Sequence, residues 1–236
     1  MGNQRWSSFR YVFRETDLWV AVDAEKHNKA VERFVQERIR YYRQILDQYI
    51  IKHPGLEDSL IPVKIPSGAH NIISEMGKAA DAAGTGPMSA VAGVVAEFVC
   101  NDLIKKFGFK EVVIENGGDI FMKLTSPATI SVYAGKSPLS EKIKLVIKPE
   151  ETPLAVCTSS GTTGHSFSLG KADACMIACR SGALADAYAT AFCNEVKNKE
   201  MVLEIAEKAL KKTDILSVVI ILDDKVGLGG TLEIKI

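Results

Sequence analysis

Two short runs near the start, Arg10-Tyr11-Val12-Phe13-Arg14 and Leu18-Trp19-Val20-Ala21-Val22, are rich in β-branched and aromatic residues. Glu15-Thr16-Asp17 separates them, which predicts a hairpin. From Asn28 the period lengthens. Val31, Phe34, Val35, Ile39, Tyr42, Ile45, Leu46 and Tyr49 recur three or four apart, with Arg33, Arg38, Arg40 and Arg43 elsewhere on the wheel. That spacing predicts an amphipathic helix ending near His53-Pro54. A loop with Pro62 and Pro66 leads to a small-residue helix over 71–83, which Gly84-Thr85-Gly86-Pro87 stops. A second helix follows over 88–107 and closes at Gly108. Its opening, Ser89-Ala90-Val91-Ala92-Gly93, is small enough to let another backbone approach. Strands over 111–115 and 120–124 then flank Asn116-Gly117-Gly118-Asp119.

The second half repeats this order. Strands are expected over 129–134 and 142–147, then an irregular loop and a strand over 174–178. Helices over 184–197 and 199–211 precede a hairpin from 215–221 to 231–234. The repeat is one of element order rather than of residues. It predicts an α+β fold of duplicated ββααββ units, with antiparallel sheets and helices packed on one face. No linker divides it, so residues 1–236 read as one domain with two similar halves, about 9–125 and 128–236.

Composition narrows the class. The chain has 236 residues with 29 Lys+Arg against 29 Asp+Glu, 47% hydrophobic and 25% charged. These values exclude wholesale disorder and argue against a general nucleic-acid binder. The longest nearly apolar run, 88–100, contains Glu97 and falls short of the roughly 20 residues that cross a bilayer. No membrane span is expected, and Met1-Gly2-Asn3-Gln4-Arg5-Trp6 has no secretory pattern. Five cysteines in a chain this large suggest reduced thiols and a cytoplasmic location.

Three segments carry candidate chemistry. In Asn116-Gly117-Gly118-Asp119 the adjacent glycines permit positive φ and close backbone approach to a ligand, while Asp119 offers a carboxylate to a ribose hydroxyl or a metal. A plain hairpin turn explains the same residues equally well. The run Cys157-Thr158-Ser159-Ser160-Gly161-Thr162-Thr163-Gly164-His165 continues to Ser168 and packs hydroxyls, glycines and a histidine into one segment. Such a segment can turn N–H groups and hydroxyls toward phosphate, although it is not a Walker A loop. Cys157 with His165 also has the residue types of a nucleophile and its base. Asp186 and Thr190, four apart on a helix, face the same way. With Asp173 they would be hard oxygen ligands suited to Mg²⁺, although a carboxylate at a helix start also serves the dipole alone.

These three segments together resemble the ApbE-like flavin transferases, and most closely an uncharacterised prokaryotic branch of that superfamily. The runs Glu15-Thr16-Asp17-Leu18, Gly86-Pro87-Met88-Ser89 and Gly164-His165-Ser166-Phe167-Ser168-Leu169-Gly170-Lys171-Ala172-Asp173 share the likeness, which extends from about Thr16 to Val196. The resemblance implies tandem T-fold-like units and the handling of FAD or FMN with Mg²⁺. It also implies either FMN transfer to an acceptor protein or FAD hydrolysis. Asp186 and Thr190 match the family's metal-contacting Asp and Thr, and Gly117, Gly118 and Asp119 match its flavin-site Gly-Gly-Asp.

The resemblance further places Asn116 and the segment Thr158, Ser159, Ser160, Gly161, Thr162, Thr163 and Gly164 around the nucleotide, with His165 and Asp186 as the candidate catalytic pair. Two departures stand out. The family's His-Ile-Ile-Asp-Pro is here His165-Ser166-Phe167-Ser168, without the acid, and its Lys-Gly is Ala92-Gly93, without the cation. A flavin- or nucleotide-binding protein without transferase chemistry is therefore the alternative expectation. A second copy of the chain is open as a partner.

Overall fold

The computed structural model of the protein describes residues 5–162 and 169–236. β1 (Trp6–Phe13) and β2 (Thr16–Asp23) make the expected hairpin, in register from Trp6 opposite Asp23 to Phe13 opposite Thr16. Asn28 caps α1 (Lys29–Lys52) by accepting the N–H groups of Ala30 and Val31. The stripe Val31, Val35, Ile39, Tyr42 and Leu46 is buried. After the single turn α2 (Gly55–Asp58), α3 (Asn71–Ala83) begins at His70, whose ring accepts the Ile72 N–H, and stops at left-handed Gly84. A 3-10 turn at Pro87–Ala90 leads into α4 (Val91–Phe107), which ends at Gly108 with φ 64°. Glycine takes that conformation without a Cβ penalty. The hairpin β3 (Val112–Asn116) and β4 (Asp119–Lys123) follows.

The later elements are β5 (Ala128–Ser131), β6 (Lys144–Ile147), β7 (Leu154–Ser159) and β8 (Ala174–Cys179), then α5 (Gly182–Glu195) and α6 (Met201–Leu210). β9 (Ile215–Leu222), β10 (Lys225–Gly230) and β11 (Glu233–Lys235) complete the chain. One eight-stranded sheet runs β1-β2-β3-β4-β7-β8-β9-β10, and a three-stranded sheet runs β11-β6-β5. Every pairing is antiparallel. Strand–strand–helices–strand–strand therefore occurs twice along the large sheet, from β1 to β4 and from β7 to β10.

Two expectations need correction. The strands anticipated at 129–134 and 142–147 do not open the second set. They shorten to β5 and β6 and leave for the small sheet, and β7 takes their place beside β4. β7 ends in Cys157-Thr158-Ser159, hydroxyl-rich residues that read as loop although threonine suits a pleated surface. The terminal hairpin is β9 with the glycine-rich β10, not with 231–234, and β11 pairs with β6 instead. Gly227 explains the composition of β10: a Cβ there would stand 2.6 Å from the Val202 carbonyl oxygen of α6.

Helices cover one face of the large sheet and the small sheet covers the other, where the sequence anticipates only the helices. Val20, Ile114, Phe121 and Ile177 pack under the helices, while Met122, Leu154, Val156, Met176 and Val219 pack under β5 and β6. β8 is buried at all six positions because both its faces are covered. Each fully buried valine or isoleucine contributes roughly 1.5–3 kcal/mol. Residues Pro87–Phe107 form the one stretch among the described residues long and apolar enough to cross a membrane, but half of it is buried inside the protein. It is packed as the central core helix.

Candidate functional site

The hairpin turn at Gly117 and Gly118 has φ values of 62° and 106°, so the glycines are needed for the backbone alone. Asn116 and Asp119 stand opposite each other at its base. Both side chains point to the helix face, and both are used. Asn116 Nδ2 donates to the Ala92 carbonyl of α4 at 3.1 Å, and Asp119 Oδ1 accepts the Thr158 N–H of β7 at 3.2 Å.

Asp186, in the second turn of α5, completes the cluster. Its Oδ2 accepts the Gly93 N–H of α4 at 2.8 Å, and the neighbouring Ala92 N–H adds to the same carboxylate. α4 has no side-chain cap of its own, so a carboxylate from another helix satisfies its first orphan donors. The close approach depends on small residues: a Cβ on Gly93 would lie 2.2 Å from the Gly182 carbonyl oxygen and 2.8 Å from Asp186 Cβ.

Asp119 and Asp186 are each 8% exposed. Burial pushes both carboxyls upward, and each lies in the field of another acid: Glu115 raises Asp119, and Asp119 raises Asp186. The N–H groups of Thr158, Gly93 and Ala92 pull the other way, as does the Cys157 thiol on Asp119. No basic side chain among the described residues contributes. Cys157 sits between these acids with Sγ 3.8 Å from the Gly182 carbonyl oxygen, and burial followed by the two carboxylates raises its thiol far above the ordinary range. A thiol held neutral is a poor nucleophile.

The structure thus brings together Asn116, Asp119, Thr158 and Asp186, from residues far apart in sequence. Thr190 lies one turn beyond Asp186 and is half-buried. Ser159 is buried in β7 opposite Cys175. Gly161 N donates to the Ala172 carbonyl at 2.8 Å, Ser160 Oγ accepts the Thr162 N–H, and Thr162 Oγ1 donates to Asp173 at 2.8 Å. The second oxygen of Asp173 accepts the Asp223 N–H at 2.7 Å, so Asp173 staples the end of β7 to the β9–β10 turn rather than joining Asp186. Thr163, Gly164 and His165 lie outside the described residues.

Sequence reasoning passes over Glu97. Its Oε2 accepts the Gly182 N–H at 2.7 Å and lies 3.5 Å from Ser181 Oγ. The available signal is a spacing: Gly93 and Glu97 are four apart, as are Gly182 and Asp186.

The family model described as AbpE bacteria matches residues 1–226. A UPF0280 protein of Methanocaldococcus jannaschii is 35% identical over 232 residues, covering 96% of this chain and 92% of that protein. A UPF0280 protein of Methanospirillum hungatei is 42% identical over 184 residues, 78% of this chain and 73% of that one.

Among solved structures, the apo form of Pseudomonas stutzeri flavinyl transferase ApbE superposes with TM-score 0.60 at 13% identity, over 96% of this chain and 94% of that one. Flavin transferase ApbE from Vibrio cholerae gives 0.55 at 13%, over 96% and 97%. At that identity the likeness shows the fold. The chain belongs to the AbpE bacteria family.

Proposed function

We propose that the protein binds a flavin dinucleotide together with Mg²⁺ at the Asp119–Asp186 cluster, and acts on FAD as an FMN transferase or pyrophosphatase. One observation carries this reading. Two buried acids with raised proton affinity, Asp119 on β4 and Asp186 on α5, lie in each other's field beside the first turn of α4, and no cation among the described residues offsets them. Buried charge of this kind is retained where a ligand completes it. The flavin transferase names of the structural neighbours support the ligand class.

The residues present fit a hard cation that keeps most of its ligands from water and phosphate. Asp186 and Thr190 supply oxygens from one helix face, and no group of three or more His, Cys, Asp or Glu able to hold a metal exists among the described residues. Bound there, Mg²⁺ supplies charge neutralisation at the pyrophosphate. Asp186 would hold it while the Gly93 N–H orients the carboxylate, and Asp119 would accept from a ribose hydroxyl. The Gly117-Gly118 turn leaves the sugar room, since a Cβ on Gly117 would meet nothing within 4 Å.

His165 is the acid or base of this proposal, and a threonine-bearing protein its acceptor. The same reading takes the chain as one cytoplasmic domain of two related units. The repeated element order and the burial of all five cysteines in the core support it.

A second reading, nucleotide binding without transfer, is favoured by Ala92. This residue stands at the cluster where the flavin transferases carry lysine. Calorimetry with FAD tests the first proposal: Mg²⁺ should tighten binding, Asp186→Ala should remove most of that gain, and Thr190→Val a smaller part. Production of AMP from FAD and Mg²⁺ separates the enzyme from the carrier. Tight binding indifferent to both metal and Asp186 would sink the metal-site reading.

A further inference from the structure

We infer that Glu97 is a positioning residue for Asp186, and that the two carboxylates form a reciprocal clasp joining α4 to α5. The inference rests on the reading of Asp186 above for its functional consequence, but its geometry stands by itself. Asp186 lies four residues after Gly182 and accepts the N–H of Gly93. Glu97 lies four residues after Gly93 and accepts the N–H of Gly182. The two glycines are themselves in mutual backbone contact, since a Cβ on either would stand 2.2 Å from the other's carbonyl oxygen. Each helix thus lends a carboxylate to the first turn of its neighbour, about a local two-fold relation between Gly93 and Gly182.

The physical demand for this arrangement is plain. The first four N–H groups of a helix have no intrahelical acceptor. Where two helix starts are pressed together and shut off from water, those donors need acceptors from the opposite helix. Gly182 N–H is the first of α5, and Gly93 N–H the third of α4. The dipoles of both helices present partial positive charge at the same place, which favours two anions there.

Glu97 does not touch Gly93 N–H. It fixes the start of α5, with Ser181 Oγ and the Ala183 N–H as further contacts. The position of α5 in turn sets where Asp186 stands, one turn on. Glu97 therefore acts on the candidate site through Asp186, and its own carboxylate is spent on the helix start.

Amide hydrogen exchange of the whole chain tests this without relying on activity. Glu97→Ala frees the Gly182 amide directly. If Glu97 positions Asp186, the Gly93 amide must also speed up, by roughly 10- to 100-fold, the loss of a charge-assisted hydrogen bond. Ile177, in the middle of β8, should change far less. Glu97→Gln keeps an acceptor and should restore protection at both glycines. Glu97→Asp, shorter by one methylene, gives the same paired increase on a smaller scale and serves if the alanine variant does not fold. Acceleration at Gly182 without Gly93, or an equal rise at Gly93, Gly182 and Ile177, overturns the inference: the first leaves a simple cap, the second a general loss of stability. Calorimetry on the same variants separates the two claims. If Mg²⁺ leaves FAD binding unchanged in the parent and in Asp186→Ala, the metal-site reading fails while the exchange result still decides the clasp. If Asp186→Ala loses the Mg²⁺ gain, Glu97→Ala should lose it too and Glu97→Gln retain it.

Discussion

Gly93 and Gly182 touch through their backbones: a Cβ on either would stand only 2.2 Å from the other's carbonyl oxygen. No rotamer change relieves such a clash, because the obstacle is main chain. Gly93→Ala or Gly182→Ala must push α4 from α5, at about 3 kcal/mol. Gly55→Ala, with nothing within 4 Å, should shift stability by only a few tenths of a kcal/mol. Urea denaturation of the three variants makes the comparison, and equal midpoints would mean the helices are not tightly apposed.

The acid pair should give stability an uncommon pH dependence. Burial raises Asp119 and Asp186 in the folded protein, so above the unfolded carboxylate range near about 4 the native state holds more protons than the unfolded one. Stability contributed this way is present at low pH and lost as pH rises through the folded values. Asp119→Asn keeps an acceptor for the Thr158 N–H and removes the charge. It should unfold roughly 2–4 °C higher at pH 7.5, the shift about 1 kcal/mol makes in a chain of this size. The advantage should vanish near pH 4. A variant less stable than the parent at pH 7.5 would show that the acids are not mutually unfavourable.

Glu111 should behave in the opposite sense. Against burial, which pushes it up, Arg5, the Thr125 N–H and hydroxyl, and Trp6 Nε1 hold it down at about 2. Its contribution is complete above the unfolded value near about 4 and disappears as pH falls through about 2. Glu111→Gln loses the ion pair to Arg5 at 2.8 Å and should cost about 2–3 kcal/mol at neutral pH. Its denaturation midpoint should change less between pH 4 and pH 2 than that of the parent.

Cys157 should resist iodoacetamide in the native protein and react only on unfolding, like the other four buried thiols. Peptide mapping after native labelling reads this directly. Rapid native modification of Cys157 would revive it as a nucleophile.

The helices were the most legible part of the fold, because their signals are local. Asn28, His70, Gly84 and Gly108 mark helix ends, and the α1 stripe shows at its own period. What failed was pairing. Whether 128–131 joins the large sheet depends on what lies beside β4, a contact between segments about 30 residues apart that no local period encodes. β10 was hidden because three of its six residues are glycines, Gly227 and Gly229 selected by the closeness of α6 and Gly230 by its φ of 124° and the closeness of β9, not by strand propensity. At the site, Asn116, Asp119 and Asp186 could be named from motifs. The partners of Asp186 could not, because Ala92 and Gly93 act through backbone N–H groups that every residue owns.

That dependence on backbone donors has a genetic consequence. Asp186 and Cys157 come from chain after residue 153, while Gly93, Glu97, Asn116 and Asp119 come from chain before residue 124. A gene split within 124–153 would encode two polypeptides, and neither would carry a working half of the cluster. Any function the cluster has would reappear only when the pieces found each other, so the two polypeptides would have to be inherited and expressed together.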